Sequence, residues 1–165
     1  MDYTSIFSMH QELSLIAVFL LTFVMDLFLP EEHRYLARRG ACIALSIHLV
    51  LNIVPDEVVL FGGMYHSTPM ASVMKSILTL GTILVFLQSS DWLKRQDVKH
   101  KNGEFYILTL STLIGMYFMV SAGHFLLFFL GLELATVPMA CLIAFDKYKG
   151  NSGEAGAKFI LSALF

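Results

Sequence analysis

One stretch constrains this chain more than any other. Residues 124–145 form an apolar run that holds a single carboxylic acid, Glu133. At about 1.5 Å per residue the run is long enough to cross a bilayer core of roughly 30 Å. An acid near mid-membrane costs on the order of 2.5–3.5 kcal/mol, while each neighbouring Leu or Phe returns only about 0.3–0.6 kcal/mol. The helix therefore inserts because of its neighbours and in spite of Glu133. Something inside the protein must satisfy that carboxyl, and proton or ion transfer is the commonest use of such a group. The alternative is a neutral, hydrogen-bonded packing residue. Thr136 and Phe129 share the face of Glu133, and Pro138 weakens the helix about one turn later by removing an N–H.

Composition points to the same solvent. The chain is 56% apolar and 15% charged over 165 residues, with a mean hydropathy of +0.70. Soluble domains run nearer 45–50% apolar and about 25% charged. A polytopic membrane protein follows. The net charge of −2 says little about partners, and nothing suggests nucleic acid. Cys42 and Cys141 lie in apolar runs without a CxxC spacing and read as small core residues.

The expected architecture is all-α: a transmembrane bundle of five complete helices and a truncated sixth, forming one domain over 1–165. Residues 1–12 are a polar lead without the basic n-region of a signal peptide. Helix one is expected at about 13–29, with Asp26 near its interfacial end, and helix two at about 40–54 or starting a turn earlier. His48, in mid-helix, reads as a satisfied packing residue. Gly62-Gly63 marks a turn in the loop 55–68. Helix three, about 69–88, carries Lys75. Helices four (about 104–121) and five are separated by only Ala122-Gly123-His124 and so form an antiparallel pair. Asn-Ser-Gly-Glu (151–154) is a helix start, an N-cap followed by an acid three residues on. The stretch from about 152 to Phe165 is shorter than a span, as expected of an N-terminal portion of a longer protein.

The basic residues set an orientation. Arg34, Arg38 and Arg39 lie in the first loop, Lys94, Arg95, Lys99 and Lys101 in the third, and Lys147 and Lys149 in the fifth. None lies in the even loops or before helix one. The positive-inside rule then makes the odd loops cytoplasmic and puts the N-terminus outside. No Gly-rich phosphate loop, nucleophile triad or metal-ligand cluster is legible, and His10, His33, His66 and His100 are scattered.

Several short segments carry a resemblance. They are Gly-Glu-Phe-Tyr-Ile-Leu (103–108), Gly115-Met116, Met-Val-Ser-Ala (119–122), Phe-Leu-Gly-Leu-Glu-Leu (129–134) with Pro138, and Ser-Gly-Glu-Ala (152–155) with Lys158-Phe159. Together the chain resembles subunit N of respiratory complex I, the NADH-quinone oxidoreductase. The likeness is dense over 103–165 and looser before it. The Leu-Gly-Leu-Glu-Leu form is nearer to subunit N than to its relatives L and M, which usually carry a Trp before the Glu.

That resemblance implies a longer, proton-translocating subunit of the complex's membrane arm, in the inner membrane of a bacterium, with other membrane-arm subunits and lipid as partners. It implies no catalytic residue, metal or redox cofactor in this chain; NADH and a quinone belong to the complex. Glu133 matches the family's helix-five glutamate and Lys158 its helix-six lysine, both in the proton relay. The helix-seven lysine that usually pairs with that glutamate would lie beyond Phe165. Physically, a carboxylate and an ammonium in low dielectric hold each other charged, so a change in their spacing can take up or release a proton. Lys158 is expected to point toward helix five, within reach of Glu133; it could instead pair with Glu154, four residues earlier. Lys75 is a third candidate, although it can also snorkel outward. Two other functions stay open: an antiporter-like subunit of a cation/proton exchanger or membrane-bound hydrogenase, and a non-catalytic membrane scaffold.

Overall fold

The computed structural model of the protein describes residues 7–28, 34–52, 57–93, 102–146 and 150–164. They form helices α1 (His10–Phe28), α2 (Arg34–Leu51), α3 (Pro69–Trp92), α4 (Asn102–Val120), α5 (Phe125–Ile143) and α6 (Ser152–Leu164), with strands β1 (Val58–Leu60) and β2 (Tyr65–Ser67) between α2 and α3. The chain is an all-α polytopic membrane bundle. Helices α1, α3, α4 and α5 are each long and apolar enough to cross a bilayer. Helix α2 has 18 residues, about 27 Å, of which Arg39–Leu51 is the apolar part. Helix α6, at 13 residues, is shorter than a span.

The distribution of side chains identifies the solvent. Leu20, Leu21, Phe23, Leu27, Ile43, Val50, Leu80, Leu84, Leu126 and Leu130 face outward, whereas Gln11, Glu12, His48, Asn52, Lys75, Thr79 and Ser121 are buried. In water the outer surface would be a large aggregation-prone patch; against lipid it costs nothing. Hydroxyls inside the helices bond back to their own turns, Thr22 to Val18 O at 2.8 Å, Thr79 to Lys75 O at 3.0 Å and Thr82 to Leu78 O at 3.0 Å. Such local bonds remove the cost of carrying a hydroxyl through hydrocarbon.

Helix starts follow their caps. Thr68 accepts from Ala71 N at 3.1 Å and Pro69 opens α3, because Pro at the first position has no N–H to lose. At the head of α5, His124 accepts from Leu126 N at 3.2 Å. Helices α4 and α5 form the expected antiparallel pair, and glycine makes their approach possible. A Cβ on Gly115 would collide with Ala135 N and lie 2.7 Å from Gly131 O, and one on Gly131 would lie 2.8 Å from Met119 N. Leu15, Leu45, Phe86, Tyr106, Leu110 and Leu113 fill the core across α1–α4.

The two ends of the bundle differ. At one end, β1 and β2 pair antiparallel across a four-residue loop, in the register Val58↔Ser67 to Leu60↔Tyr65. The expected turn at Gly62-Gly63 is present, with both glycines at positive φ, 64° and 91°, which suits residues without a Cβ. The flanking strands were not expected, since three residues are too few for an alternation to show. The hairpin is tied to the α4–α5 turn by the Tyr65↔Ala122 bridge, by His66 N to Ser121 O at 2.9 Å and by Gly123 N to Met64 O at 2.8 Å. At the other end Trp92, Phe105 and Phe145 pack ring to ring.

Four expectations shift. Helix α1 begins at His10, three residues earlier than expected, and α3 runs on to Trp92. Asp26 turns inward to the first turn of α4, where a Cβ on Gly103 would strike its carboxylate. Cys42 is only partly buried and Cys141 faces outward, which a membrane helix allows because lipid is as apolar as a core. Lys94, Arg95, Lys99, Lys101, Lys147 and Lys149, on which most of the orientation argument rests, lie outside the described residues, as do His33 and His100.

Candidate functional site

The expected relay residues fall in two places. Glu133, on α5, is partly buried. It lines a small pocket between α5 and α6 with Leu132, Thr136, Val137, Ile160 and Ala163. Thr136 shares its face as expected, but the threonine hydroxyl bonds to the backbone oxygen of Glu133, at 3.4 Å. Among the described residues the Glu133 carboxylate makes no hydrogen bond or ion pair.

Lys158 does not approach it. The expected direction of this side chain, into the bundle toward α5, is not the one observed. Its Nζ lies 2.6 Å from Glu154 Oε1, one turn back on α6, and the two side chains are 73% and 63% exposed. The i,i+4 spacing makes that pairing available without any neighbouring helix, and the pocket face of α6 is taken by Ile160 and Ala163.

Lys75 is the residue the bundle is built around. It lies in the second turn of α3 and does not snorkel outward. Its Nζ is 2.6 Å from Glu12 Oε1, and the two side chains are each 2% exposed. All three ammonium protons have partners, because Gln11 Oε1 lies at 3.2 Å and the Tyr65 hydroxyl at 3.5 Å. The rings of Tyr65 and Tyr117 flank the cation, each centroid 5.6 Å from Nζ, a distance at which the ring faces still attract it. The carboxylate is equally well met. Ser121 Oγ donates to Oε1 at 3.2 Å and Tyr65 Oη to Oε2 at 2.8 Å. Glu12 also sits in the first turn of α1, where the helix dipole favours a negative charge. Burial, and after it the charge of Glu12, holds the Tyr65 phenol above its ordinary range, so it remains a proton donor to that carboxylate.

A second polar group adjoins the pair. His48 is buried on α2 and bonds to α1, to α4 and to the end of its own helix. Its Nε2 is 3.0 Å from the Tyr117 hydroxyl, and its Nδ1 is 2.9 Å from Ser14 Oγ and 3.1 Å from Asn52 Nδ2. Asn52 also donates to the His48 carbonyl at 2.8 Å. An amide N–H can only donate, so Nδ1 is the accepting nitrogen and Nε2–H points at Tyr117. Tyr117 in turn meets Thr79 Oγ1 at 2.5 Å and Lys75 O at 3.3 Å. His48 is thus a packing residue with both nitrogens satisfied, as its sequence position suggests.

Glu12, Tyr65 and Ser121 are the residues that sequence reasoning missed. Glu12 lies in the stretch taken as a polar lead, and a tyrosine in a loop or a serine at a helix end carries no signal of its own. Charge balance was the available clue: a lysine two turns inside a membrane helix requires an acid at the same end. Among the described residues no group of three or more His, Cys, Asp or Glu could hold a metal ion.

Apolar helices facing lipid around buried ionisable side chains define an α-helical polytopic membrane protein. No family model matches the chain. Three relatives do. It is 76% identical to the NADH-quinone oxidoreductase subunit N of Phocaeicola vulgatus over 165 residues, covering all of this chain and 35% of that protein. It is 39% identical to the subunit of the same name in Azobacteroides pseudotrichonymphae over 99% of this chain, and 35% identical to that of Desulforamulus reducens over 92%. The chain belongs to the NADH-quinone oxidoreductase subunit N family, and spans about 35% of the length of the relatives it matches most fully.

Proposed function

We propose that this chain is part of a proton-translocating membrane subunit of an NADH-quinone oxidoreductase, coupling quinone reduction elsewhere in the complex to proton transfer through its own intramembrane Glu and Lys residues. The observation that carries the reading is Glu133: a carboxylate on an apolar membrane helix, facing a pocket, without a described partner. A group so placed calls for a partner from another part of the assembly, and a cation moved toward it or away can switch its charge. Lys75 is a second ionisable group in the same bundle. Lys158 is the third candidate; it would act only if its pairing with Glu154 were exchanged for Glu133. The redox chemistry and its cofactors belong to other subunits, which, with the lipid of a bacterial plasma membrane, are the partners of this chain.

The test uses Glu133→Gln in the full-length subunit within its complex, reading redox-driven proton pumping in vesicles normalised to assembled complex. Glutamine keeps the shape and the hydrogen-bonding groups but cannot exchange a proton. Transfer through this subunit should fall on the order of 100-fold, the low end of what a positioned acid–base group contributes. Glu133→Asp should retain part of the activity, because the charge survives with a shorter reach. Wild-type pumping by Glu133→Gln at normal assembly would overturn the relay reading.

A further inference from the structure

We propose that Glu12 and Lys75 form a second proton-exchange site, separate from Glu133, at the hairpin end of the bundle, with the β1–β2 hairpin as its cover. This inference rests on the proton-translocating reading above and adds a site to it.

The geometry supports exchange rather than mere attachment. The donor and acceptor atoms, Lys75 Nζ and Glu12 Oε1, are 2.6 Å apart and both side chains are 2% exposed. Burial disfavours both charges at once, so it narrows the free-energy gap between the ion pair and the neutral amine–acid pair. As a fastening, the pair is an inefficient choice, since well-packed apolar residues of similar volume hold helices together as well or better.

The pair also lies at one end of the bundle. Glu12 is in the first turn of α1, Ser121 follows the last residue of α4 and Tyr65 belongs to the hairpin. On the hairpin side the carboxylate is therefore covered by two hydroxyls, one of them held by a two-stranded hairpin. Such a hairpin is marginal alone and is secured here by its backbone bonds to the α4–α5 turn. By the loop charges, this end faces away from the cytoplasm.

The step balances within the pair. The Nζ–H bond breaks and an Oε1–H bond forms, converting ammonium and carboxylate to amine and acid. The acid loses its proton to water admitted at the hairpin end, which restores the carboxylate. The amine is reprotonated by a proton carried through the bundle, which restores the ammonium. The other ionisable groups facing the pair are Tyr65 from the hairpin, Tyr117 from α4 and His48 from α2.

Two arms test the site, both in the full-length subunit within the assembled complex. Glu12→Gln/Lys75→Met together remove both charges and leave no orphan charge. If the pair exchanges protons, the double variant assembles but its proton route closes, because a positioned carrier contributes on the order of 100-fold. Wild-type pumping by the assembled double variant overturns the proposal. Tyr65→Phe keeps the ring and removes one hydrogen bond to the carboxylate. The pH profile of pumping should then move measurably, because one of the hydrogen bonds that hold the exchange site together is gone. An unmoved profile overturns the proposal, and this arm decides the matter even if the double variant fails to assemble. Should both arms fail while Glu133→Gln still abolishes transfer, this site falls and the function stands. If Glu133→Gln is silent as well, the proton-translocating reading falls with it.

Discussion

Lys75→Met alone, in the full-length subunit, is expected to prevent stable assembly. Methionine fills most of the lysine volume, so the loss is one of charge and not of packing. It leaves the Glu12 carboxylate with the Ser121 and Tyr65 hydroxyls but no cation, in a site where each side chain is 2% exposed. Removing one partner of a buried pair costs about 3–5 kcal/mol. That is a large share of the roughly 5–15 kcal/mol by which a folded domain is stable. Glu12→Gln should be comparably damaging, since it strands an ammonium, which is no cheaper to bury than a carboxylate. The measurement is the amount of subunit recovered in intact complex and its melting temperature in detergent. Normal recovery and melting of Lys75→Met would show that the pair is not buried as described. The control is Lys158→Met, which breaks an ion pair of the same 2.6 Å length whose side chains are 73% and 63% exposed. Its effect on stability should stay below about 0.5 kcal/mol. Any fall in pumping by that variant at normal assembly would then report a role in proton transfer and not in folding.

The contrast between those two lysines also shows how far the sequence could be read. Helix positions were legible because apolar runs of span length have few other uses, and the α4–α5 pair was legible because three residues between two helices leave no alternative to an antiparallel turn. Side-chain direction was not. Lys158 and Lys75 are both lone cations in apolar helices, and the runs around them look alike. What separates them is the partner each can reach. For Lys158 that is Glu154, on its own helix. For Lys75 it is Glu12, 63 residues away and just outside the predicted start of helix one. Helix α1 gains an extra turn because Gln11 and Glu12 have buried partners on α3, in Ser72 and Lys75. A polar sequence is helical there for tertiary reasons that no local pattern carries. Glu133 was the opposite case. Its position was unmistakable and the structure puts it in a pocket, but its partner is not among the described residues.

The second large effect is expected at Gly115. The approach of α4 and α5 is set by backbone touching backbone: the site of a Cβ on Gly115 is already occupied by Ala135 N, with Gly131 O 2.7 Å away. A peptide group cannot swing aside as a side-chain end can. Gly115→Ala must therefore push the two helices apart along their whole contact, and Gly115→Leu more so. Between membrane helices there is no hydrophobic drive to offset that separation, since lipid chains solvate the apolar surface equally well. The loss is direct dispersion contact, with a cost of about 1–3 kcal/mol or more. Gly81, on α3, provides the internal standard, because a Cβ there meets nothing within 4 Å. Gly81→Ala should be neutral or stabilising by up to about 1 kcal/mol, the helix-propensity difference between the two residues. The measurement is the melting temperature of the two variants side by side in the same detergent. Gly115→Ala melting as high as Gly81→Ala would mean that α4 and α5 are farther apart than described. The same displacement would carry Glu133, two residues along α5 from Gly131, away from its place between α5 and α6. Gly115→Ala should accordingly lower pumping through this subunit even in the fraction of complex that assembles, although Gly115 itself carries no proton.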